Sequence, residues 1–137
     1  MPQVLVDANV LLSFFLDRDK VQQAAARELF RKAQTGEVSV VLPQFIVFET
    51  IFVLLRIYLY SPSEITTALR EAMALRGLTV VDDCPWPPVF EHWSDRRPSV
   101  GDAAILALAV TKRYDSIATF DHDLSKRAKS LGVAPYW

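Results

Sequence analysis

Val4-Leu5-Val6-Asp7-Ala8-Asn9 is a short apolar run that ends on a carboxylate. Ile117-Ala118-Thr119-Phe120-Asp121 repeats the pattern near the other end of the chain. A β-branched or apolar run of this length, bounded by polar residues, reads as a buried strand. Val38–Leu42, closed by Pro43, and Leu78–Val81 read the same way, and Val133–Tyr136 as a last strand. Helical patterns fill the gaps. Val21, Ala24, Ala25, Leu29 and Ala33 recur near a 3.6-residue period, and Gly36 stops that helix. A second helix opens at Pro43 or Gln44 and runs to Tyr60, apolar nearly all round. Ser61-Pro62-Ser63-Glu64 is a capping box with Pro at the first helical position. It opens a helix to Arg76, stopped by Gly77. Asp102–Val110 is an alanine-rich helix, and Leu124–Leu131 is a helix with Gly132 just past its end. Pro85, Pro87, Pro88 and Pro98 make the stretch between them read as a loop with one short helix at Phe90–Trp93.

Strands alternating with helices predict an α/β fold, a parallel sheet of four or five strands covered on both faces. Ligands of such sheets bind beyond the carboxyl ends of the strands, at a topological switch point. The polar residues that follow strands are therefore the ones to weigh.

Composition narrows the class. A chain of 137 residues reads as one domain, 1–137, and 51% hydrophobic residues with eight prolines and four glycines exclude a disordered or fibrous chain. Cys84 is the only cysteine, which excludes an internal disulfide framework and a cysteine-based zinc site. Fifteen Lys and Arg against sixteen Asp and Glu give a net charge of −1. A broadly basic nucleic-acid surface is excluded, whereas a local basic rim is not. The most apolar stretch, Phe45–Tyr60, is interrupted by Glu49 and Arg56 and is too short in its unbroken runs to span a bilayer. The beginning, Met1-Pro2-Gln3, lacks the basic-then-apolar layout of a signal peptide. The expectation is a soluble, cytoplasmic protein with no membrane partner.

Asp7 and Asp121 follow strands, Asp123 lies two residues further on, Asp102 opens a helix, and Glu49 interrupts an apolar helix. Each has a structural explanation. Asp7 can form an Asx-turn or cap the next helix, Asp102 can satisfy a helix dipole, and Asp121 or Asp123 can cap the helix that follows. Glu49 can pair with Arg56, seven residues on and on roughly the same helix face. Taken together these explanations weaken. Carboxylates a few ångströms apart repel by roughly 4 kcal/mol per pair at an effective dielectric near 20. A chain that gathers them is suited to a cation, and all-oxygen ligands select Mg²⁺ or Mn²⁺. Such a site clamps a phosphodiester and activates water for attack.

The pattern Val4–Leu12, Glu49 in its helix, Gly101-Asp102-Ala103-Ala104-Ile105-Leu106-Ala107 and Thr119-Phe120-Asp121-His122-Asp123-Leu124 resembles, in order and spacing, the motifs of PIN-domain ribonucleases. At this length the chain is most similar to the VapC toxins of type II toxin–antitoxin pairs. The resemblance implies a three-layer α/β/α sandwich, often dimeric, and a metal-dependent endoribonuclease. Asp7, Glu49, Asp102 and Asp121 would form its acidic quartet, with Asp123 as an alternative metal ligand and Asn9 and Thr119 as accessory polar residues. It further implies Mg²⁺ or Mn²⁺, an RNA substrate, a homodimer, and a cognate antitoxin that inserts a segment across the active site.

Other readings compete. A haloacid-dehalogenase-type phosphatase needs a second Asp two residues after the first, where this chain has Asn9. A phosphoacceptor module needs a Lys after a late strand, and Thr119–Asp123 has none. A non-toxin PIN nuclease and a non-catalytic RNA- or partner-binding module remain as alternatives. Arg96 and Arg97 read as a solvated pair or phosphate contacts, His92 as a loop residue, and His122, between two aspartates, as a surface residue or one that supports the rim from behind. Cys84 reads as inert. Phe45, Phe48, Phe52, Tyr58 and Tyr60 read as core residues, with one side of their helix left to meet another helix or subunit. Trp86, Trp93 and Trp137 read as packing residues that could also stack on unpaired bases.

Overall fold

A computed structural model describes residues 1–94 and 98–137. Five strands form one sheet: β1 (Gln3–Val6), β2 (Ser39–Pro43), β3 (Leu78–Val81), β4 (Ser116–Ala118) and β5 (Ala134–Pro135). Their order is β3-β2-β1-β4-β5, and every pairing is parallel. Seven helices connect them among the described residues: α1 (Ala8–Phe15), α2 (Lys20–Gln34), α3 (Gln44–Arg56), α4 (Pro62–Met73), α5 (Trp86–Ser94), α6 (Val100–Lys112) and α7 (His122–Ser130).

Val4–Val6, Val40–Pro43 and Ser116–Ala118 are buried at every consecutive position. Side chains alternate between sheet faces, so both faces of these strands are covered, as in the expected α/β/α arrangement. The edge strands β3 and β5 keep exposed positions. From β1 the chain builds outward through β2 to β3, then returns to lay β4 on the other side of β1. The strand order therefore reverses between β1 and β4. That seam is the switch point, and Val4, Leu5 and Val6 register there with Ser116, Ile117 and Ala118.

Several elements differ from the reading above. The segment after Asp7 is a helix, α1, capped by Asp7 itself. Helix α3 ends at Arg56 rather than Tyr60, and Leu59 turns the chain in the left-handed region at φ 56°. Helix α4 stops at Met73, short of Arg76. Helix α6 opens at Val100, two residues before Asp102, because Ser99 caps it. The proline stretch is largely helical. Pro87 and Pro88 fall in the first turn of α5, where the missing N–H groups have no intrahelical partner to lose. Val89 of α5 is fully buried against Ala103, Ala104 and Ala107 of α6, whose small side chains allow close approach. His92 thus lies on a helix rather than in a loop. Arg96 and Arg97 lie outside the described residues. Among the described residues, no helix is long and apolar enough to cross a membrane.

Candidate active site

Asp7 closes β1 and starts α1. Its N–H donates to Ala118 O at 3.0 Å, tying it across the seam to β4. Asp7 Oδ1 accepts from the Ala8 N–H at 2.8 Å, and Oδ2 accepts from Thr119 Oγ1 at 2.7 Å. Thr119 Oγ1 also accepts from Asn9 Nδ2 at 3.2 Å and from the Asp121 N–H at 3.1 Å. Asn9 Oδ1 accepts from the Phe120 N–H at 3.1 Å. One threonine hydroxyl and one asparagine amide thereby hold Asp7 and the Asp121 backbone in fixed relation. Asp121 caps α7, its Oδ1 accepting from the Asp123 and Leu124 N–H groups at 2.9 and 3.3 Å. Asp123 is exposed in the first turn of that helix.

Glu49 and Asp102 come from other elements. Glu49 projects from the second turn of α3, and Asp102 sits in the first turn of α6, its N–H donating to Ser99 Oγ at 3.1 Å. Gly101 brings the two helices together. A Cβ there would run into Glu49 Oε1, so the glycine is what lets the Glu49 carboxylate lie against the start of α6. Sequence reading placed Gly101 in a motif but gave it no role. The signal was a glycine inside an otherwise alanine-rich helix, where it is intrinsically unfavourable.

The electrostatics tie the four groups into one field. Glu49 is pushed up to about 7, first by burial and then by the charges of Asp7 and Asp102. Asp102 is pushed up to about 6 by burial, Asp7 and Asp121, with Arg127 and Ser99 pulling the other way. Asp7 is also raised, by burial first, against the hydrogen bonds from Thr119 and Ala8, with Asp121 adding to the rise. The Arg56 pairing considered for Glu49 is not made. The Arg56 guanidinium lies 5.8 Å from the centre of the Phe52 ring, and Glu49 has no ion pair among the described residues.

The donor set suits a hard divalent cation: carboxylate oxygens only, carrying surplus negative charge on the rim of a parallel sheet. Among the described residues, no three His, Cys, Asp or Glu side chains lie close enough to enclose one ion together. The arrangement fits a cation held by one or two carboxylates with water completing its shell, as Mg²⁺ favours. Cys84 has no part in this. It is half-buried, and burial pushes its thiol up, away from the reactive thiolate.

Beside Glu49 an apolar groove of about 480 Å³ runs between α3, α5 and α6, lined by Phe45, Phe48, Phe52, Trp86 and Val100 among others. Phe48 and Phe52 are each about half exposed, at 55% and 52%. Phe45 of α3 and Tyr58 and Tyr60 just past its end lean on the core, whereas Phe48 and Phe52 do not. Trp137 stacks on Phe120, ring centres 4.7 Å apart.

Comparison with known proteins agrees with this fold. VapC20 of Mycobacterium tuberculosis, described as a sarcin-ricin loop cleaving toxin, superposes with a TM-score of 0.68 at 17% identity over 90% of this chain and 94% of its own. PAE2754 of Pyrobaculum aerophilum superposes with a TM-score of 0.69 at 18% identity over 98% of this chain and 83% of its own. At such identities the likeness is one of fold. No curated protein matches the chain by sequence. The PIN domain model matches residues 4–130, a span that contains every carboxylate described above, and the chain belongs to the PIN domain family.

Proposed function

We propose that the chain, acting as one domain, is a metal-dependent endoribonuclease and the toxin of a toxin–antitoxin pair. The observation that carries the reading is the convergence of Asp7, Glu49, Asp102 and Asp121 from four elements into one electrostatic field at the sheet's switch point. Of these, Glu49 lacks any compensating cation among the described residues.

A bound Mg²⁺ or Mn²⁺ would neutralise the phosphodiester and make water nucleophilic near neutral pH. It would take one or two direct ligands from among Asp7, Glu49, Asp102 and Asp121, with Asp123 as an alternative and water completing its shell. Thr119 presents Asp7 in one orientation, because its hydroxyl proton is committed to Asp7 Oδ2. Asn9 locks Thr119 in place and anchors the Phe120 backbone, which fixes where Asp121 starts α7. Capping uses Asp121 Oδ1 and leaves Oδ2 for other partners. Glu49, raised to about 7, is a group that can hold or release a proton at its carboxylate near neutral pH. RNA is the substrate this supports, with the cytoplasm as its site of action.

The apolar groove between α3, α5 and α6 is the surface we assign to protein partners, the cognate antitoxin first. It exposes Phe48 and Phe52 and has Glu49 in its wall, so a partner seated there would cover both aromatic surface and acidic rim. A homodimer belongs to the same reading, with a solution mass of twice 15.5 kDa as its signature.

The test is cleavage of single-stranded or loop RNA. Activity with Mg²⁺ or Mn²⁺, abolished by EDTA, and products with 5′-phosphate and 3′-hydroxyl ends are expected. Undiminished cleavage in chelator, or 2′,3′-cyclic phosphate products, would overturn the metal mechanism.

A further inference from the structure

The chain carries almost no net charge, yet a nuclease must hold a polyanion beside an acidic centre. The cations that do so must be local, and the structure shows where two of them stand. A second groove, of about 600 Å³, opens between α5 and α7. Lys126 and Arg127 form one wall, Glu91 and His92 the other, and Leu106 of α6 lies between them. Leu106 is one helical turn beyond Asp102 on the same face of α6, so the groove begins where the carboxylate rim ends.

Two observations say what the groove takes. Among the described residues, neither Lys126 nor Arg127 is in a salt bridge. The ion pairs there are Arg31 with Glu28 and Glu37, and Lys112 with Asp83. Among the described residues that line it, two cations face the one carboxylate of Glu91 across a concave surface, and that balance suits an anion. The groove also shares both of its rim-side helices with the carboxylates: Asp121 caps α7, which carries Lys126 and Arg127, and Asp102 lies one turn before Leu106 on α6. The positive groove and the acidic rim therefore adjoin.

We infer that this groove carries the RNA strand away from the scissile bond, with Lys126 and Arg127 gripping consecutive backbone phosphates. The inference rests on the ribonuclease reading and adds a binding track to it. Arg127 stands at the junction, where its planar guanidinium can take a phosphate bidentately. Lys126 is a more exposed point charge on the same helix. Contacts to phosphate position a strand without reading its bases, so the groove should tighten binding to all single-stranded RNA alike.

The experiment measures binding of a short, unstructured, fluorescein-labelled RNA with Mn²⁺ across a salt series. It uses Asp7→Asn chains to prevent turnover. Each phosphate contact contributes a slope of about 0.7 in log K against log salt for a single strand. Lys126→Ala with Arg127→Ala should therefore flatten the slope by about 1.4 and weaken binding at low salt for every sequence tried. Arg127→Lys should restore the salt slope lost in Arg127→Ala but only part of the affinity, because it keeps the charge and loses the bidentate geometry. In chains with Asp7 intact, Lys126→Ala should raise KM more than it lowers kcat. Lys129→Ala removes the same charge from α7 outside the groove and should leave the slope at the parent value. A double variant with the parent slope, or an equal flattening from Lys129→Ala, overturns the track. If the parent cleaves RNA while the double variant binds unchanged, the groove alone is wrong. If the parent neither binds nor cleaves RNA, the ribonuclease reading falls and the track with it.

Discussion

Asp7 and Asp121 have structural work that would explain them in any protein. Both cap helices, and Asp7 takes hydrogen bonds on each oxygen. Glu49 and Asp102 do not share that security. Glu49 accepts no hydrogen bond among the described residues, and Asp102 has the charge of Arg127 and the Ser99 hydroxyl to offset its acidic neighbours. Both are pushed up toward neutrality by burial and by their acidic neighbours. A carboxylate that caps a helix stabilises the fold whether or not a ligand binds. One that is half-buried beside other carboxylates raises the free energy of the empty protein. The seam pair therefore has work in the fold whether or not a cation binds, Asp102 keeps the favourable first-turn position of α6, and Glu49 is the carboxylate that the fold itself explains least.

The largest expected effect lies on the seam. Asp7→Asn keeps the shape but removes a charged ligand, and RNA cleavage should fall by about 100-fold or more. Expression of the parent without an antitoxin should arrest growth, and Asp7→Asn should relieve the arrest. Equal toxicity of both would break the assignment. Next comes Thr119→Val, which deletes one hydroxyl that serves Asp7, Asn9 and the Asp121 N–H. Leaving buried polar partners unmatched should cost about 1–3 kcal/mol in urea unfolding. Loss of the orienting bond should also lower cleavage by about 10- to 100-fold.

Gly101→Ala sharpens the comparison from the helix side. The added Cβ displaces the end of a flexible Glu49 side chain, while a helical Gly→Ala exchange favours the fold by about 0.5–1 kcal/mol. Cleavage should drop several-fold while thermal stability holds or rises. If both fall together, Glu49 is structural.

A smaller effect is expected from pH. Raised carboxylate values mean that the folded state binds more protons than the unfolded one between the ordinary and the shifted value. Stability of the metal-free protein should therefore fall as pH rises from 4.5 to about 7 through Glu49, and from 3.8 to about 6 through Asp102. Solvent screening limits the combined effect to about 1 kcal/mol, read as a lower melting temperature at pH 7.5 than at pH 5 in EDTA.

Much of this was legible in the sequence. The five strands sit at or within a few residues of the expected runs, because consecutive apolar residues between turn signals have few other places to go in a parallel sheet. The carboxylates were legible from their positions after strands. The shifted start of α6 comes from a local cap, Ser99, whereas in the proline stretch packing overrides the local signal. Four prolines argued for a loop, but three of them border or enter the first turn of a helix docked by Val89 on alanines. The glycine in an alanine-rich helix marks Gly101 as unusual, but not its partner Glu49, which lies 52 residues away along the chain. Nothing in the order of residues singles out Lys126 and Arg127, because the groove they line exists only once α5 is in place.

The most direct test of the central claim is thermal unfolding of the parent and of Glu49→Gln, each in EDTA and in excess Mn²⁺. If the carboxylates form one cation site, Mn²⁺ at 100 times its Kd stabilises the parent by roughly 2.7 kcal/mol. Glu49→Gln should then match or exceed the parent in EDTA and gain distinctly less from the metal. A parent that does not respond to Mn²⁺, with Glu49→Gln less stable than it in EDTA, would show that these carboxylates serve the fold and not a metal.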